Sequence, residues 1–155
     1  MNYFDLFDLE STYKLDKNNL ETKYLSLQKK YHPDNCDSIE EQLTMVELTI
    51  KLNEAYETLK DDTKLIIYYL KQNGYDFTDA KIQSNLSQND LMYLLDLQEQ
   101  VAEGLVKSAD FKQALKEKVS SVTLSLVDAI ESKNNEEIEA NLSKLIFFNK
   151  SLKHI

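Results

Sequence analysis

Lys29-Lys30-Tyr31-His32-Pro33-Asp34 is the stretch that decides how this chain folds. It holds the only proline and one of only two histidines. Proline locks its own φ and pushes the preceding residue out of the helical region, so a helix must stop here. His32 and Asp34 flank that stop. The segment reads as a presented loop motif, with the neighbouring helices as its supports.

Working upstream, Asp16 is a good N-cap. Leu20, Tyr24, Leu27 and Tyr31 follow it at helical spacing and form one apolar stripe. Thr22, Lys23, Ser26, Lys29 and Lys30 fall on the other side as a small cationic face. Working downstream, Ser38 restarts a helix, with Glu41 placed to complete a capping box. That helix runs to about residue 60 and sets Leu52, Ala55, Tyr56 and Leu59 on one face. Two antiparallel helices joined by the loop form the core of a first domain. Residues 2–9 read as a short aromatic helix able to bury Tyr3, Phe4, Leu6 and Phe7, and residues 10–15 as a connector. A further helix over 63–73 is apolar nearly all round and ends at Gly74. The sequence places it at the junction between two domains, with the polar stretch 75–86 as an irregular boundary.

Composition narrows the class. There are 2 Gly and 1 Pro in 155 residues, where average usage gives roughly ten and eight. So few turn-formers imply an all-α chain. The net charge is −9, and all 18 basic residues are lysine. Such a surface disfavours nucleic acid, which requires a basic footprint. No run of about 18 apolar residues suggests a membrane span. No basic-then-apolar leader follows Met1, and the single Cys36 has no internal partner. The expectation is a reducing compartment, a bacterial-type cytoplasm rather than a mitochondrial matrix.

The second half reads as three helices over roughly 87–103, 109–132 and 136–153. Ser87 and Asp90 start the first, and Asn134 or Asn135 caps the last. In the first, Leu94, Leu97 and Val101 share a core side. Met92, Leu95, Asp96, Glu99 and Glu103 share the opposite side, with Leu91 at its edge, at ~100° per residue. Between Lys81 and Lys107 there is no base against four carboxylates. An ordinary solvated face with stray leucines is the bland alternative. Adjacent large apolar residues beside acids better suit a partner site with a basic rim. Phe111, Leu115, Val119, Val122 and Leu126 keep step in the second helix. Ile138, Leu142, Leu145 and Leu152 form the stripe of the third. Phe147 points about 180° from Ile138, toward a neighbouring helix or the apolar-acidic face.

Three segments in order carry a family resemblance. They are the Tyr-Phe-Asp-Leu-Phe opening, Lys-Lys-Tyr-His32-Pro33-Asp34, and Leu52-Asn-Glu-Ala-Tyr-Glu-Thr-Leu-Lys-Asp61. Together they resemble a J-domain. Followed at once by a helical bundle, with Gly74-Tyr75-Asp76, the Leu91–Glu99 run and Lys144-Leu-Ile-Phe147, the whole chain resembles HscB-type co-chaperones of iron–sulfur cluster assembly. The resemblance implies a J-domain over 1–75 and a three-helix bundle over 76–155. It implies that His32, Pro33 and Asp34, with Lys23, Lys29 and Lys30, dock on and stimulate an HscA-type ATPase chaperone of the heat-shock-70 class. It implies that Leu91, Met92, Leu95, Asp96, Glu99, Glu103 and Phe147 bind an IscU-type scaffold. Asn35 stands where many J-domains carry another lysine, so the cationic edge is expected to be weaker.

Other readings fare worse. His32 and Cys36 invite a Cys–His nucleophile, but the pair spans a proline turn with no third group or oxyanion feature. A metal site would have only those two residues plus His154. No catalytic residue, cofactor or metal is therefore expected. The nearest alternative is a J-protein serving a general heat-shock-70 chaperone with another client.

Overall fold

The computed structural model describes residues 2–153, and every regular element among them is helical. The chain divides into two compact units between Asn73 and Gly74, two residues before the boundary the sequence suggests.

The first unit contains α1 (Tyr3–Leu6), α2 (Lys17–Lys30), α3 (Ile39–Lys60) and α4 (Asp62–Gln72), with a 3-10 turn at Pro33–Asn35. α1 is shorter than the 2–9 helix expected. A capping box between Asn2 and Asp5 starts it. It stops because Asp8 turns left-handed at φ 53°. The Leu9 and Asp8 N–H groups then bond back to the carbonyls of Phe4 and Asp5 at 2.9 and 3.1 Å, which is the Schellman closure. Asp16 caps α2 by accepting from the N–H of Asn18 and Asn19. Ser38 caps α3 by accepting from Glu41 N–H at 3.1 Å; only this half of the expected capping box forms. Phe4, Phe7, Leu20, Leu52, Ala55, Leu59 and Leu65 make the core, and Tyr24, Leu27, Tyr31 and Tyr56 pack at its margin. Each fully buried Leu or Phe stabilises by about 1.5–3 kcal/mol. Tyr24 and Tyr56 stack at 3.9 Å across the α2–α3 seam. Lys17 Nζ joins the seam's far end, donating to the Leu59 carbonyl at 2.8 Å and pairing with Asp62 at 3.2 Å. In α4, Leu65, Ile66 and Leu70 are buried, while Ile67, Tyr68 and Tyr69 are half-buried.

The second unit contains α5 (Asp79–Asn85), α6 (Gln88–Ala102), α7 (Ser108–Glu131) and α8 (Asn135–Lys153). α5 corrects the reading of 75–86 as irregular. Thr78 caps it, and Ile82 is its buried anchor. Asn85 Nδ2 reaches the buried Ser143 Oγ of α8 at 3.1 Å. One buried apolar residue in a seven-residue, mostly polar helix leaves almost no periodic signal, which is why it was not legible. The three-helix bundle is thus α6–α8 with α5 added against α8. Its core is Leu94, Phe111, Leu115, Val119, Val122, Leu126, Ile138, Leu142, Leu145 and Phe148. Leu97, Val101 and Leu152, expected in the core, are only half-buried. Gly104 at φ 74° closes α6, with Leu105 N–H on the Gln100 carbonyl at 2.9 Å. Asn134, rather than Asn135, caps α8 by accepting from Glu137 N–H at 3.3 Å.

Candidate functional site: a presented turn and an apolar-acidic helix face

Pro33 opens the 3-10 turn, and its predecessor His32 sits extended at φ −64°, ψ 131°, as the pre-proline restriction requires. His32 Nδ1 accepts from the Asp34 N–H at 3.2 Å. An accepting Nδ1 leaves the ring proton on Nε2. Nδ1 also lies 3.4 Å from Asp34 Oδ2, while the two side chains are 59% and 90% exposed. The histidine therefore spends one nitrogen on shaping the turn and has the other available to a partner. Asn35 Nδ2 donates to the Lys29 carbonyl at 2.8 Å, satisfying one of the open carbonyls at the end of α2. This gives Asn35 a job in fixing the loop. Cys36 is half-buried, and its N–H bonds to the Pro33 carbonyl at 3.1 Å.

The lysines do not form one equivalent set. Lys29 and Lys30 are exposed, with Lys30 Nζ 5.7 Å from the Tyr31 ring centre. Lys23 is half-buried and donates to the Asp8 carbonyl at 2.8 Å. It clamps the end of α1 to α2. Beside the turn, an open groove of about 830 Å³ is lined by Leu25, Ser26, Gln28, Lys29, His32, Pro33 and Thr49. Leu25 stands 53% exposed in it.

One feature went unread in the sequence. Ile39, Leu43, Val46 and Ile50 are all exposed. Their spacing puts them on one face of α3, about half a helical turn from the buried Leu52, Ala55 and Leu59. The 4-3-4 spacing was available as a signal, but a stripe of that kind reads as core until the partner helix is placed.

On α6, the capping box of Ser87 and Asp90 fixes the first turn, with Asp90 Oδ2 accepting from Ser87 N–H and Oγ at 3.1 and 2.8 Å. Leu91, Met92 and Leu95 are 43%, 48% and 57% exposed, and Asp96, Glu99 and Glu103 are exposed beside them. Leu91 lines a cleft that Phe147 of α8 also lines. Phe147 is half-buried and edge-on to Phe148 at 5.2 Å. Five of the seven residues expected to bind the scaffold thus lie in α6 and Glu103 is its C-cap, while Phe147 shares the cleft with Leu91. Among the described residues no three His, Cys, Asp or Glu side chains could hold a metal ion together, and no helix is long and apolar enough to cross a membrane. His154 lies outside the described residues.

The aromatic opening, the helical hairpin and the His-Pro-Asp turn define a J-domain protein, and residues 2–68 match the DnaJ domain family. A co-chaperone protein HscB homolog of Aliivibrio salmonicida (strain LFI1238) is 32% identical over 161 residues, spanning 97% of this chain and 92% of that relative. One from Vibrio cholerae serotype O1 (strain ATCC 39315 / El Tor Inaba N16961) is 35% identical over 117 residues, spanning 74% and 67%. The solved chaperone HscB from Vibrio cholerae superposes with a TM-score of 0.74 at 26% identity, covering 99% of this chain and 94% of its own. The crystal structure of human co-chaperone protein HscB shares the fold, at TM-score 0.80 and 24% identity over 99% and 81%. The chain belongs to the HscB co-chaperone family. It is a J-domain co-chaperone of iron–sulfur cluster assembly that works with a heat-shock-70-class chaperone.

Proposed function

We propose that the chain stimulates the ATPase of an HscA-type chaperone through the 1–75 J-domain and presents an IscU-type scaffold through residues 76–155. In this reading His32, Pro33 and Asp34 are the stimulating element, and Lys29 and Lys30 meet acidic surface on the chaperone. Lys23 contributes mainly by holding α1 against α2. Leu91, Met92, Leu95, Asp96, Glu99, Glu103 and Phe147 receive the scaffold, whose facing surface is apolar with a basic rim. The protein performs no chemistry of its own. Holding client and chaperone on one chain raises their effective concentration for each other. Relatives from bacteria support a bacterial cytoplasmic setting.

The observation that carries the reading is the intact turn, with His32 braced through Nδ1 on Asp34 N–H and its other edge exposed. The test is the steady-state ATPase rate of an HscA-type chaperone, with and without its IscU-type scaffold, as this protein is titrated in. Stimulation that rises further with scaffold is expected. Stimulation without that synergy would hand the second unit to another client, and a flat response would overturn the choice of chaperone.

A further inference from the structure

The exposed stripe on α3 is more regular than a scatter of surface side chains. Ile39, Leu43, Val46 and Ile50 follow one another at 4-3-4 spacing and stand from 42% to 77% exposed. Single exposed apolar residues are ordinary, but four in step over about 16 Å of one helix make a continuous ridge. The spacing is that of a heptad seam, with Leu43 and Ile50 at a and Ile39 and Val46 at d. Asn53 holds the next d position and accepts from Tyr24 Oη at 2.7 Å, so the ridge ends where the helix enters the core of the first unit. Its flanks are unequal. Glu40 and Glu47 are exposed at the e positions, while the neutral Gln42 and Thr49 hold the g positions. Asp34, Asp37, Glu40, Glu41 and Glu47 lie between Lys30 and Lys51 with no lysine among them.

We propose that this ridge docks a basic amphipathic helix of a third partner: the apolar seam packs against leucine-like residues of that helix, and Glu40 and Glu47 pair with its lysines or arginines. Charge selects this occupant. A second copy of the chain offers no counter-charge, since an e-position glutamate would face either a glutamate of the same flank or the neutral g positions. The chaperone surface that meets Lys29 and Lys30 in the proposed function is acidic, whereas this ridge calls for a basic one. The scaffold face lies on the other compact unit.

The probe is a labelled synthetic heptad peptide with isoleucine at a, leucine at d and lysine at e and g, titrated by fluorescence anisotropy into the full-length chain. The same peptide with glutamate at e and g is its control. The lysine peptide is expected to bind at least tenfold tighter, with the preference shrinking as salt is added. Leu43→Gln with Ile50→Gln should weaken it at least tenfold, and Glu40→Lys with Glu47→Lys should turn the preference to the glutamate peptide. Ile39→Lys, at the most exposed position of the ridge, repeats the block should the double glutamine variant fail to fold. Lysine-peptide binding that ignores Leu43, Ile50 and Ile39 would be charge attraction to an acidic chain and would overturn the docking face. A dimer in sedimentation that Leu43→Gln dissociates would make a second copy the occupant instead. Loss of chaperone stimulation or of scaffold affinity in the double glutamine variant would assign the ridge to one of those proteins and overturn the third partner.

Discussion

His32 does two things with one ring, and the two can be separated. Nδ1 accepts the Asp34 N–H and shapes the turn, while the side chain stays 59% exposed, and in the proposed function Nε2 meets the chaperone. Asparagine places an acceptor where Nδ1 is but does not extend to Nε2; glutamine reaches further but gives up the local cap. Both His32→Asn and His32→Gln should therefore lose most of the chaperone stimulation, with circular dichroism unchanged. Stimulation retained by His32→Asn would show that the histidine acts only as a cap. Lys23, expected from the sequence to dock on the chaperone, also has a part in the fold. Losing its bond to the Asp8 carbonyl removes a hydrogen bond of about 1 kcal/mol, so Lys23→Met should lower the denaturation midpoint while Lys29→Met leaves it alone. Lys133 ends α7 in the left-handed region at φ 55°, with Asn134 N–H on the Ala129 carbonyl at 3.1 Å. Glycine adopts that conformation without strain, so Lys133→Gly should stabilise by about 0.5–1 kcal/mol. A chevron or urea titration reads both effects. Tyr3 and Tyr93 are held above the usual phenol range of 10.0 by burial first, then by Glu54 and Glu117 respectively. A pKa raised in the folded state gives stability that is complete below the unfolded value and is lost as pH rises through the folded one. The thermal midpoint should fall above about pH 10, and Tyr3→Phe with Tyr93→Phe should flatten that fall.

At the scale of the element, legibility followed the strength of the local signal. α2, α3, α6 and α8 were readable because caps and apolar periods agree on them, and α7, which has no side-chain cap, by its long apolar period alone. The turn was readable because one proline forbids the helix from continuing. α1 was overextended because nothing in Phe7-Asp8-Leu9 announces a left-handed aspartate. α5 was missed because a single buried Ile82 makes no period. The α6 face was separable from its core side by angle alone, but the cleft was not, since it needs α5 and α8 brought beside Leu91. α3 shows the limit most plainly. Its first half carries its apolar stripe, Ile39, Leu43, Val46 and Ile50, to solvent, while its second half buries Leu52, Ala55 and Leu59 on the other side. Leu43→Gln and Ile50→Gln should therefore change unfolding free energy by no more than about 0.5 kcal/mol each, as ordinary surface changes do. Leu52→Ala, in the same helix, should cost about 2–5 kcal/mol. A large loss from Leu43→Gln would mean that this face of α3 is packed in the folded protein.

At the scale of the whole molecule, both units are acidic, and the two proposed docking patches stand on different units. Lys29 and Lys30, proposed to dock on the chaperone, belong to the first compact unit, and the carboxylates Asp96, Glu99 and Glu103, proposed to meet the scaffold, to the second. A net charge of −9 would by itself repel an acidic chaperone surface, so the local lysine face must act within a screening length, about 8 Å at physiological salt. Added salt should therefore weaken both docking events, for opposite reasons of sign. Lys29→Glu with Lys30→Glu should weaken chaperone docking and reverse the sign of its salt dependence, leaving scaffold affinity as it was. Glu99→Lys with Glu103→Lys should do the converse. Sites with no shared partners give additive free energies to within about 0.3–0.5 kcal/mol, so the fourfold variant should show each binding loss undiminished and unamplified. Calorimetric titration of each partner at two salt concentrations measures this. A scaffold affinity that moves when only Lys29 and Lys30 are reversed would mean that the two units are energetically coupled, and synergy in the ATPase assay would then come from communication within this chain as well as from tethering.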